Sequence, residues 1–261
     1  MISPEQIRAK CEELEEENNF TILFAIESGS RLWGMESKDS DYDVHLVYFY
    51  PVEKYLEIQK PVDTFTWMSG DRVLDLNGFD IYKYAKLLLK SNPNMIDWTM
   101  SNIIYYGDKS EIKEFIDFAK NSFNPFTLYQ SYLGISLSAQ KLIEKGKNHY
   151  KKYLYILRGI LNAQWILEKG TLPPFLFEKV TKELTLSSEI KEAILQLLEK
   201  KRLASEKSTV KEELAVIRPF IDDNIVKKEE NLMKLVKRRA EEKDYKKFDA
   251  VIQRIIGYKS E

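Results

Sequence analysis

A turn of small residues, Ser28-Gly29-Ser30, closes the short apolar run Phe20–Ala25, and two aspartates separated by one residue, Asp41-Tyr42-Asp43, open the next. Few chains can satisfy that order except as strand, turn and strand. Side chains alternate along a strand, so Asp41 and Asp43 project one way and Tyr42 the other. Two carboxylates on one face offer the hard oxygen ligands that Mg²⁺ (or Mn²⁺) accepts beside substrate phosphates. The Ser28-Gly29-Ser30 turn offers backbone N–H groups and hydroxyls to the same phosphates, with glycine allowing close approach. An Asp-x-Asp alone is most often an exposed turn; the Gly-Ser turn before it and the buried-strand pattern after it argue otherwise. Gly29 to Gly34 also matches the first six positions of a P-loop, but Met35-Glu36 stands where Lys-Ser/Thr is required, which excludes a Walker-type NTPase.

The surrounding pattern predicts a mixed fold. Ser3 and Pro4 mark the start of a helix to Asn18. Strands are expected at Phe20–Ala25, Asp41–Tyr50, Thr64–Met68 and Arg72–Leu76, with Ser69-Gly70-Asp71 as a hairpin turn. Short helices are expected near Leu32–Met35, Val52–Ile58 and Met95–Met100. From about Glu111 the apolar spacing is helical throughout, in segments near 113–120, 127–145, 151–168, 189–206 and 229–256. The expected class is α+β: a small mixed sheet with flanking helices over residues 1–115, then an all-helical domain over 116–261.

A third carboxylate is expected on a neighbouring strand. Asp75 fits, because an aspartate between Leu74 and Leu76 is costly unless paired or coordinated. Asp80 competes, although its place after Gly78 and before Ile81, Tyr84, Leu87 and Leu88 reads as a helix N-cap. Arg31 beside the turn suits bidentate pairing with a phosphate, or an ion pair with Glu27 or Glu36. Arg158, inside the apolar run 156–161, needs an anionic partner. His45 reads as a structural neighbour of Asp43, and His149 as solvent-facing.

These segments resemble the polymerase-β-like nucleotidyltransferase superfamily, whose signature is Gly-Ser followed by Asp-x-Asp. They are similar, more narrowly, to the RNA-repair-ligase-associated nucleotidyltransferases. The resemblance is carried by Glu27 to Gly34, Ser40 to Asp43, Gly78-Phe79-Asp80, Ser91-Asn92-Pro93 and Lys152-Tyr153-Leu154-Tyr155-Ile156-Leu157-Arg158. It implies a metal-dependent transfer of an NMP from an NTP to an acceptor hydroxyl. Asp41, Asp43 and Asp75 (or Asp80) would bind Mg²⁺ (or Mn²⁺), and Ser28, Gly29, Ser30 and Arg31 would hold the phosphates. It also implies that Lys152 or Arg158 touches the triphosphate with Tyr155 near the base, and that the acceptor is an RNA end. The same core serves adenylylation of protein or small-molecule hydroxyls, and a nucleotide-binding module without chemistry is a third reading.

Composition agrees with a globular chain: 44% hydrophobic and 31% charged residues over 261 positions. Cys11 is the sole cysteine, which excludes an internal disulfide, and two histidines make a zinc site a poor expectation. No apolar run is long enough to span a membrane, and the Glu-rich N-terminus is unlike a signal peptide, so a cytoplasmic protein is expected. The net charge of −1 hides an asymmetry: residues 1–100 hold 10 Lys and Arg against 18 Asp and Glu, the remainder 30 against 23. The acidic part suits a cation site; the basic part suits a polyanion or is a set of solvated helices.

Overall fold

A computed structural model describes residues 2–144, 149–203 and 214–258. In chain order the helices are α1 (Pro4–Asn18), α2 (Gly29–Leu32), α3 (Val52–Leu56), α4 (Ile81–Leu89), α5 (Pro93–Met100), α6 (Lys113–Asn121) and α7 (Pro125–Glu144). They continue as α8 (Tyr150–Lys169), α9 (Phe177–Glu183), α10 (Ser188–Leu203), α11 (Ile217–Val226), α12 (Lys228–Met233) and α13 (Glu242–Ile255). The strands are β1 (Thr21–Glu27), β2 (Tyr42–Phe49), β3 (Thr64–Met68), β4 (Leu74–Asp80) and β5 (Ile104–Gly107). The fold is α+β. Among the described residues no helix is long and apolar enough to cross a membrane.

The chain forms two compact units that interleave in sequence: residues 1–29, 41–123 and 239–261, and residues 30–40 and 124–238. The boundary expected near residue 115 falls inside α6 of the first unit, where Phe115 and Phe118 pack against Phe248 of α13. The final helix therefore returns to the sheet unit, and eleven residues after the Gly29 turn belong with the helices.

In the sheet unit the strand order is β3-β4-β2-β1-β5. β2 and β4 run parallel, and the other neighbours are antiparallel. One face is closed by α1, whose Ile7, Cys11 and Leu14 recur at helical spacing and meet Tyr42, Val44, Leu46, Leu74 and Leu76. A full capping box fixes the start of α1: Ser3 Oγ accepts from Gln6 N, and Gln6 Oε1 accepts from Ser3 N. Burial pushes the Cys11 thiol up to about 12, so it behaves as a small apolar side chain. The opposite face lies under α4 and α5: Tyr84 meets Phe24 edge-on, and Trp98 stacks on His45 and Phe79.

Several elements depart from expectation. β4 starts at Leu74, because Ser69 to Val73 close a longer loop in which Asp71 Oδ1 accepts from Val73 N and Arg72 takes a left-handed φ of 60°. The strand then runs through Gly78, whose missing side chain leaves room for Leu46. β5, α9 and α11 had no predicted segment of their own. Finally, the expected helix over 229–256 is two helices, since Glu241 and Asp244 build a new capping box that starts α13. Residues 204–206, the end of the segment predicted over 189–206, lie outside the described residues.

In the second unit α7 and α8 pack closely along their length. Gly159 permits this, since a β-carbon there would collide with Ser136 and the Tyr132 carbonyl.

Candidate active site

The alternation of β2 and β4 decides which acids share a surface. Tyr42, Val44, Leu46 and Tyr48 turn toward α1, which leaves Asp43, His45 and Val47 on the other side. In β4, Leu74 and Leu76 turn toward α1, so Asp75, Asn77 and Phe79 face with Asp43. The parallel register pairs Asp43 with Asp75, His45 with Asn77 and Val47 with Phe79. Two carboxylates thus stand side by side on adjacent strands, both partly exposed. Asp80 pairs with Tyr48 on the opposite face. Its side chain accepts from Tyr82 N at 2.9 Å as the N-cap of α4, and from the Tyr55 hydroxyl at 2.5 Å. Burial raises its pKa despite both bonds.

Asp41 stands just before β2 rather than within it. The three expected ligands are not gathered into a finished cage: among the described residues, no group of three or more His, Cys, Asp or Glu side chains stands ready to hold a metal ion. A pair of carboxylates still fits Mg²⁺, which keeps several waters and completes its octahedron with substrate phosphate oxygens.

Gly29 sits against Asp43. Its φ is +63°, and a β-carbon there would overlap the Asp43 carboxylate. Ser28 is buried, and its N–H donates to the Asp43 carbonyl at 2.9 Å. Glu27, 1% exposed, was not singled out from sequence as a site residue. Its Oε1 accepts from Asp43 N at 3.2 Å and its Oε2 from the Tyr105 hydroxyl at 2.6 Å. The signal was available: an acid ending a buried apolar strand needs committed partners. His45 is held by Trp98, and burial lowers its pKa to about 4. It is neutral near pH 7 and serves the packing of this face.

The other expected residues lie in the helical unit, which includes residues 30–40. Ser30 is buried and its carbonyl accepts from Met35 N. Arg31 Nη2 donates to the Ser40 carbonyl at 2.6 Å, which braces the loop. Arg158, 8% exposed, lies over the Trp33 indole with Cζ 3.6 Å from the ring centroid, and Tyr155 meets the same ring edge-on at 5.5 Å. Lys152 is partly exposed in the first turn of α8, a turn without an acidic residue.

Lys201 was missed. It is 3% exposed, and its ammonium donates to Ser37 Oγ at 3.2 Å and Ser40 Oγ at 3.3 Å. Its place on the stripe Ile194, Leu197, Leu198 marks it as inward-facing within a charge-rich run. Arg202 adds a bond to the Gly34 carbonyl at 2.7 Å. The loop leading to Asp41 is therefore held by buried cations from α8 and α10.

The family model described as RlaP, RNA repair pathway DNA polymerase beta family, matches residues 4–254. An uncharacterized protein of Bacillus subtilis, YcgL, is 34% identical over 242 residues, 92% of this chain and 91% of its own. An uncharacterized protein of Methanocaldococcus jannaschii, MJ0002, is 29% identical over 153 residues, 57% of this chain and 61% of its own. A solved nucleotidyltransferase-like protein from Exiguobacterium sibiricum aligns over 99% of this chain and 81% of its own, at 11% identity and a TM-score of 0.32.

Proposed function

Because this chain belongs to the RNA repair pathway DNA polymerase beta family, we propose that it transfers an NMP from an NTP to an acceptor hydroxyl, with an RNA end as the acceptor. The observation that carries this reading is the register pairing of Asp43 with Asp75 on one sheet face, with Gly29 packed against Asp43. Asp43 and Asp75 would hold Mg²⁺ or Mn²⁺, and Asp41 would join them when a nucleotide is bound. The metal, when present, neutralises phosphate charge and lowers the pKa of the attacking hydroxyl.

The protein's own residues do the positioning. Gly29 lets the backbone approach the phosphates, while Ser28 and Ser30 supply donors. The acceptor oxygen bonds to the α-phosphorus as the bond to the β-phosphate oxygen breaks. Pyrophosphate leaves, and the hydroxyl proton passes to a carboxylate or to water. Glu27 fixes the Asp43 backbone, so the carboxylate pair is preorganised. The family resemblance further implies that Lys152 or Arg158 would supply a cation for the triphosphate.

The test is incubation with α-labelled NTP and Mg²⁺, followed by separate counting of RNA, protein and small-molecule fractions. Label in RNA, lost in the Asp41→Asn/Asp43→Asn double variant, supports the proposal. Label in the other fractions assigns the activity to protein or small-molecule adenylylation. Undiminished labelling by the double variant rejects the carboxylate chemistry.

A further inference from the structure

We propose that a basic cleft on the sheet unit, at the far end of β4 from Asp75, binds the backbone of single-stranded nucleic acid. The cleft has a volume of about 610 Å³ and is lined by Lys60, Lys83, Lys86 and Lys90 together with Tyr55 and Tyr82. Residues 1–100 hold only 10 Lys and Arg. Four of them converge here, in the acidic part of the chain.

The geometry is that of a strand-binding surface. Lys83, Lys86 and Lys90 recur at three- and four-residue spacing, so they form one stripe along α4 and its C-cap. Cations near a helix C-terminus are favoured by the dipole alone. That does not explain Lys60, which reaches the same cleft from the loop before β3 and donates to the Tyr55 carbonyl at 2.6 Å.

Two carboxylates also line the cleft, and both are committed. Asp63 pairs with Lys83 at 2.9 Å, and Asp80 caps α4 and takes the Tyr55 hydroxyl. Lys60, Lys86 and Lys90 are exposed, and the rings of Tyr55 and Tyr82, 5.0 Å apart, are partly exposed between them. Lysines for phosphates beside aromatic faces for bases are what a sequence-tolerant single-strand site needs. A membrane surface has no use for paired tyrosine rings recessed in a cleft.

Tyr48 and Asp80 lie five positions along β2 and β4 from Asp43 and Asp75. At the rise of a strand this is about 17 Å, a few nucleotides of extended chain. The inference takes from the proposed function only the choice of RNA as probe.

The experiment measures anisotropy of a labelled single-stranded RNA of about 12 nucleotides, without NTP or divalent metal, so its outcome is independent of whether transfer occurs. Lys86→Gln/Lys90→Gln should weaken binding at least about tenfold at low salt and reduce the salt slope by about 1.4, from the loss of two phosphate contacts. Lys86→Arg/Lys90→Arg should bind as the parent does, which separates charge from folding. The proposal is overturned if the parent protein does not bind the RNA, or if the Gln pair binds it equally well. It is also overturned if phosphatidylserine vesicles or polyglutamate displace the RNA at equal charge concentration.

Discussion

Gly29 and Asp43 are so closely apposed that no side chain fits between them: a β-carbon on the glycine would overlap the aspartate's Oδ2. The turn that opens α2 and the first carboxylate of β2 are thereby a single mechanical unit. Gly29→Ala should displace Asp43 and force alanine into a left-handed conformation costing about 1–2 kcal/mol. A shift of the carboxylate by about 1 Å should reduce kcat of labelled NMP transfer roughly a hundredfold. Transfer at the parent rate would show that the apposition is not needed.

Asp75 and Asp80 should separate cleanly on substitution. Asp75→Asn should abolish transfer with little change in Tm, because its side chain lies beside Asp43 on a partly exposed face. Asp80→Asn should retain transfer but lose about 1 kcal/mol of stability, from the cap and the Tyr55 bond. Thermal denaturation and α-label transfer, measured on both variants, check the assignment.

Arg158→Lys should not be conservative. The guanidinium carbon lies over the Trp33 ring, 3.6 Å from its centroid, and an ammonium cannot reproduce the contact of a planar, delocalised cation. The expected result is a several-fold rise in KM for the NTP with a change in tryptophan fluorescence. An unchanged spectrum and KM would confine Arg158 to ordinary packing.

His45 supplies the pH dependence. Its folded pKa of about 4 lies below the unfolded value near 6.5, so the unfolded state binds more protons between them. Stability from this group is complete above pH 6.5 and is lost as pH falls toward 4, by up to about 3 kcal/mol. Denaturant midpoints of the parent and of His45→Asn, compared at pH 7 and pH 4.5, should show a smaller acid loss in the variant.

Much of this was legible in the sequence because local signals agreed. Ser3 and Pro4 marked the start of α1, and β3 falls on Thr64–Met68 as its composition suggested. β5 escaped because four residues at a sheet edge carry too short a pattern. The choice between Asp75 and Asp80 depends on strand register, which period alone cannot supply. The loop after Gly29 was legible as a motif. Its anchoring by Arg158 and Lys201 was not, because those contacts join residues more than a hundred positions apart.

The most direct measurement is Mn²⁺ titration by electron paramagnetic resonance in the presence of a nonhydrolysable NTP, on the parent and on Asp43→Asn/Asp75→Asn. The parent should bind Mn²⁺ with the nucleotide, and the variant should lose that binding while keeping its circular dichroism spectrum. Equal Mn²⁺ binding by both proteins would contradict the assignment of the paired strands as the metal and triphosphate site.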